Sequence, residues 1–191
     1  MKHKAIILAI LSITTICSYS KSSNIKINCK KNPLYCHILS IKPSINHKFA
    51  FKLSNLLVYY ARKYKMDPWR SLAIAIQESS LQATKRYETV YIPVKKCSNN
   101  HCKTLYRKVN GISDLGYFQL HAKTVMHHNF NPNLILNDLN YMVKTHYIVL
   151  AEKIRQCHKL GQEAWSCYHS KTPMLRKKYL RRVNQYYPTA H

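Results

Sequence analysis

Acidic residues are scarce. The 191-residue chain holds 7 Asp+Glu against 31 Lys+Arg, a formal net charge of +24 with histidines neutral. Only seven side chains can therefore serve as a carboxylate acid or base, and the chain is drawn toward polyanions. No apolar run reaches the roughly 20 residues of a comfortable membrane span. No internal repeat marks a second domain. The composition is also not that of a disordered chain. Hydrophobic residues make up 46%, with 15 tyrosines, enough to build one compact core.

The start of the chain reads as an export signal. Lys2, His3 and Lys4 form a basic head, residues 5–16 an apolar stretch, and Ser18-Tyr19-Ser20 the small-residue pattern before cleavage after Ser20. The alternative is an uncleaved anchor. A lipoprotein does not fit, because Ile16 precedes Cys17 where a small residue is needed. Without Cys17, six cysteines remain: Cys29, Cys36, Cys97, Cys102, Cys157 and Cys167. An even number in an exported chain suggests disulfides. Neighbours along the chain give the pairs 29–36, 97–102 and 157–167. A rival reading at one of these pairs is a zinc site of Cys97, His101 and Cys102, which lacks a clear fourth ligand.

Residues 21–47 are polar and basic without sustained period, and read as an extended lead-in to one domain over 48–191. Apolar residues at three- and four-residue spacing predict a helix over 48–65. Asp67-Pro68 is a strong helix start, since Asp caps free amides and Pro suits the first turn. The helix then runs through Leu72-Ala73-Ile74-Ala75-Ile76, apolar on all sides and hence buried. Alternation over 86–109 predicts a hairpin turning at Ser98-Asn99-Asn100. A turn over 111–114, a short helix over 116–126, a long helix over 134–160 ending at Gly161, and helices over 162–169 and 173–186 complete the reading. The fold class is mainly α, a helical domain with a small β-hairpin beside a groove.

Six of the seven acids have bland readings. Asp67 caps a helix. Glu152 and Glu163 sit among basic residues on helices, and Glu88 lies in the hairpin. Asp138 caps or turns, and Asp114 fixes a turn. Glu78 differs, because it closes the apolar helix one turn beyond Ile74 and Ala75. A carboxyl against apolar walls is poorly solvated when ionised, so its pKa rises and it can donate a proton near neutral pH. From periodicity alone, a solvated helix-end Glu stays open beside this reading.

The segment from Met66-Asp67-Pro68 through Ile76-Gln77-Glu78-Ser79 resembles the first signature of lytic transglycosylases of the soluble lytic transglycosylase type, a lysozyme-like, peptidoglycan-cleaving family. Ser113-Asp114-Leu115-Gly116-Tyr117-Phe118-Gln119-Leu120 is similar to the family's Gly-Leu-Met-Gln-Ile. Ala164-Trp165-Ser166-Cys167-Tyr168 falls where the family has Ala-Tyr-Asn-Ala-Gly, and Tyr179 to Val183 resembles its closing Tyr-x-x-x-Val. The four motifs occur in order across residues 52–187. Two positions depart from the pattern: His169 stands for Asn, and Ser170-Lys171 for Ala-Gly.

The resemblance implies roles. Glu78 is the sole general acid/base, Ser79 orients it, Gly116 keeps backbone close to the groove, Gln119 lines the groove with an amide, and Tyr168 reaches the catalytic carboxyl. For Tyr168 the alternative is a core tyrosine bonded to backbone. Glu78 would protonate the β-1,4 bridging oxygen between MurNAc and GlcNAc, then take the proton of the MurNAc primary hydroxyl as it closes a 1,6-anhydro ring. No cofactor or metal is implied. The implied partners are peptidoglycan strands and anionic envelope polymers, with a secretion or pilus assembly as a setting. A monomer, secreted or periplasmic, is expected, and nucleic acid is not. Two alternatives stay open: a hydrolysing muramidase, and a non-catalytic glycan-binding protein on the same fold.

Overall fold

The computed structural model describes residues 29–98 and 101–188, and the side chains of all of these except 88–98, 101, 103 and 105–110. The expected signal at 1–20 lies outside the described residues. The chain runs α1 Pro33–Ile41, α2 His47–Tyr64, α3 Pro68–Ser79, β1 Lys85–Ser98, β2 His101–Leu115, β3 Leu120–His121, α4 Ala122–His127, α5 Pro132–Asn137 and α6 Leu139–Gln156. A 3₁₀ stretch, His158–Tyr168, and α7 Pro173–Asn184 follow. It is mainly helical, with one small antiparallel sheet in the order β1-β2-β3. Among the described residues no helix is long and apolar enough to cross a membrane.

Asx-Pro pairs start three of these helices. Asn32, Asp67 and Asn131 each accept a backbone N–H of the first turn, and Pro follows at its head. The first is a correction, because residues 21–47 are not simply an extended lead-in. α1 buries Leu34, Tyr35 and Ile38 in the core. Its run is too short to show a period, yet Asn32-Pro33 carries the same start signal as Asp67-Pro68.

α3 is the central element. Leu72, Ala73, Ile74 and Ala75 are fully buried and Ile76 nearly so. Each buried Leu or Ile contributes about 1.5–3 kcal/mol. Its first turn is tied to the far end of the chain, where Tyr187 Oη donates to Asp67 Oδ2.

The hairpin is longer than predicted. β2 continues through Gly111 to Asp114, where a turn was expected, and Arg86 pairs with Asp114 across a bulge that leaves Ser113 unmatched. The predicted helix over 116–126 is also corrected. Gly116 to Gln119 turn back so that Leu120 and His121 pair with Leu115 and Asp114, and the helix starts only at Ala122. The long helix over 134–160 is two. Asp138, extended at φ −117°, accepts from Asn140 and Tyr141 N–H and so caps α6 while ending α5. α6 ends at Gln156, before Gly161, which sits instead in a kink of the 3₁₀ stretch.

Two disulfides, Cys29–Cys36 and Cys157–Cys167, form as predicted. They are compatible with an exported protein. Cys102 of the third predicted pair is also disulfide-bonded, which removes it as a ligand of the rival zinc site, while the side chains of Cys97 and His101 lie outside those described. The ladder sets Cys97 opposite Cys102.

Candidate active site

The end of α3 faces the base of the hairpin. Ser80 caps the helix in the left-handed region at φ 52°, and Leu81 follows at φ 57°. Two consecutive left-handed L-residues are costly backbone, and they swing the chain sharply away from Glu78. Arg86 Nη2 then reaches back from β1 and donates to the Glu78 carbonyl at 2.7 Å. A cation on a free helix C-terminal carbonyl is favourable on both hydrogen-bonding and dipole grounds.

The Glu78 side chain, partly buried, opens into a cavity of about 280 Å³. Asp114 and Gln119 line it from the sheet side, Val149 and Lys153 from α6, and Tyr168 and His169 from the end of the 3₁₀ stretch. Burial pushes the Glu78 carboxyl above the ordinary glutamate range. The Tyr179 hydroxyl and then the Arg86 charge oppose that push, and Asp114 adds to it. The Tyr179 hydroxyl is buried and makes no hydrogen bond of ordinary length. It lies near enough to the carboxyl to lower its pKa and is the aromatic hydroxyl that bears most on Glu78. The same acid, after burial itself, pushes Tyr179 up. The His169 ring stacks flat on Tyr179, 4.5 Å between centroids.

The expected site residues separate into three groups. Glu78, Gln119 and Tyr168 come together on the cavity wall. Tyr168 does not spend its hydroxyl on Glu78, however. It donates to the Phe118 carbonyl at 2.8 Å and meets His146 Nδ1 at 3.3 Å. Of its two sequence readings, the backbone-bonded core tyrosine describes its hydroxyl. Ser79 likewise turns to backbone, donating to Ala75 O at 3.0 Å and accepting from Gln82 N–H at 3.3 Å.

Gly116 is required by packing rather than by the groove. At φ +73°, a Cβ there would stand 3.1 Å from Ile135 Cγ2 and 3.3 Å from its carbonyl oxygen. Gly116→Ala should therefore lower unfolding stability by about 1–3 kcal/mol. Urea denaturation checks this, and an unchanged midpoint would refute the packing account.

Gln119 is held hard. It sits at φ 46°, and its Nε2 donates to Gly116 O, Thr84 Oγ1 and Thr84 O at 2.6, 3.0 and 3.3 Å. Two of those acceptors are carbonyls, which fixes the amide orientation. Its Oε1 is buried without any protein partner. An unmet acceptor of this kind is costly unless a ligand donor or water meets it.

Sequence reasoning missed Asp114 as a wall of this cavity. Its signal, the cross-strand pairing with Arg86, exists only once the register is known. Arg86 and Lys153 were missed for the same reason, since single cations among 31 carry no information. A larger cavity, about 920 Å³, lies at the other end of α3, between Lys31, Tyr59, Arg62 and Trp69. Among the described residues its lining holds no carboxylate or histidine. Compared with protein families, curated proteins and solved structures, the chain finds no match.

Proposed function

We propose that this chain is an exported, lysozyme-like enzyme that cleaves the glycan strands of peptidoglycan, with Glu78 as the general acid. The observation that carries the reading is the pairing of Glu78, its carboxyl raised by burial, with Gln119 Oε1, a buried acceptor left unmet, on one cavity wall. A glycosidic bond needs a proton on its leaving oxygen. A sugar amide or hydroxyl supplies the donor that Gln119 lacks. The net charge of +24 suits an anionic wall.

Asp114 favours a second reading. It shares the cavity and its charge raises the Glu78 carboxyl, so a second carboxylate is at hand. Two carboxylates about 5–9.5 Å apart flank the scissile bond in ordinary glycosidases. The first reading closes the 1,6-anhydro ring with Glu78 alone. The second delivers water, with Asp114 holding it.

Mass spectrometry of sacculi digested by the native chain separates them. Anhydro-MurNAc ends are the expected product. Reducing MurNAc ends that vanish in Asp114→Asn would establish the hydrolase. Release of neither would leave a glycan-binding protein without catalysis.

A further inference from the structure

Beyond the cavity, α4 and α6 bring together a set of side chains that the proposed reaction does not use. His127 and His128 close α4, and Glu152 faces them from α6. One ligand atom from each lies within 4.8 Å of the other two. We propose that these three residues bind a divalent transition-metal ion, Zn²⁺ by the chemistry of the set.

The donors fit that ion. Two imidazoles and a carboxylate form a three-ligand zinc set that leaves a fourth position for water. Carboxylate-only sites would instead suit Mg²⁺ or Ca²⁺. The geometry is partly preorganised. The His128 ring stacks face to face on Phe130, 4.8 Å between centroids and 8° between planes. Phe130 in turn meets the Tyr141 ring edge-on. The Glu152 carboxylate is oriented by Gln156, whose amide donates to Oε1 and leaves Oε2 for the shared centre. Such outer partners are what hold metal ligands in place.

The contact between His128 and Glu152 is also not an ordinary hydrogen bond. Nε2 stands 2.7 Å from Oε2, yet this buried nitrogen has no partner in hydrogen-bond geometry. At that distance the carboxylate oxygen lies off the axis of the ring N–H. A small opening of the pair places a cation between them. His127 is exposed at the same point, so the ion enters from solvent.

The site would act on the cavity through the helices it joins. Thr124 lies one turn before His127 and His128, and Lys153 follows Glu152. Both line the Glu78 cavity. A metal here clamps α4 to α6 along one wall of it.

The test uses the full mature chain, with Co²⁺ as a spectroscopic probe and Zn²⁺ as a competitor. One equivalent of Co²⁺ should give the visible bands of a tetrahedral site, and Zn²⁺ should bleach them. His127→Ala, which removes an exposed ring that meets His128 edge-on, should lose those bands while its metal-free melting temperature stays near the native value. Glu152→Gln should lose them too, and the Zn²⁺-induced rise in melting temperature should vanish in both. His158→Ala, a histidine outside the cluster, should retain both signals. Absence of tetrahedral bands in the native chain, or bands unchanged in His127→Ala and Glu152→Gln, would overturn the site and leave a plain His–Glu ion pair.

Discussion

Glu78→Gln should stop glycan cleavage and make the protein more stable at pH above the raised carboxyl pKa. The two effects have one cause. Gln keeps the shape of Glu but has no proton to give, and a positioned general acid contributes about 10²–10⁴-fold to rate. Burial holds the native carboxyl above its ordinary pKa. A group with a raised folded pKa binds more protons folded than unfolded at intermediate pH. Its contribution is favourable below the unfolded value and is lost as pH rises through the folded one. Above that folded value the native protein carries an ill-solvated charge that Gln removes. Turbidity of purified sacculi should fall with the native chain and hold with Glu78→Gln, while the urea midpoint of the variant gains on the native one as pH rises through the raised carboxyl pKa. The native rate should itself decline as pH rises through the raised carboxyl pKa, since the acid must start protonated. Clearing of sacculi at the native rate by Glu78→Gln would end the proposal that Glu78 is the acid.

What the sequence made legible follows from how local each signal is. α2 shows its period and α3 its start signal and apolar run within a dozen or so residues, and the structure places them within a residue of the predicted bounds. The hairpin's alternation is local too, although its true end is not. Whether Gly111 to Asp114 form a turn or a strand depends on pairing with Arg86 to Glu88, which no local pattern states. α5 and α6 share one apolar period, and only the Asp138 cap divides them. Within the site, Glu78 was readable because its helix is apolar all round. The division of labour between tyrosines was not. Tyr168 and Tyr179 are both buried near the acid, and which one bears on it is decided by the Phe118 carbonyl and His146, which claim the Tyr168 hydroxyl first. Asp114 reads as a turn former in sequence and becomes a cavity wall only through the Ser113 bulge.

The same network sets a lower pH limit on the fold. His146 is fully buried, and burial depresses its pKa to about 3. Its ring stacks on Phe118 with centroids 3.7 Å apart, between Tyr168 Oη at Nδ1 and Ser71 Oγ at Nε2. Because Tyr168 donates to Phe118 O, its oxygen accepts from Nδ1–H, and Nε2 accepts from the Ser71 hydroxyl. The ring is thus held neutral, with every polar atom matched. The unfolded chain takes up a proton at His146 near pH 6.5, whereas the folded chain resists it until about pH 3. Stability from this group is complete above the unfolded value and falls as pH drops through that window, by on the order of several kcal/mol in all. His146→Phe keeps the ring stack and removes the titration. It should be less stable than the native chain at pH 7, and the gap should close or reverse by pH 4 in urea denaturation. Parallel native and variant curves across that range would refute the assignment. Glu78 pulls the other way, since acid keeps it protonated and removes its penalty. Acidification therefore protonates Glu78 while it loosens the His146 support behind Tyr168, so under the proposed function the acid limb of activity should track unfolding, and the alkaline limb the loss of the Glu78 proton.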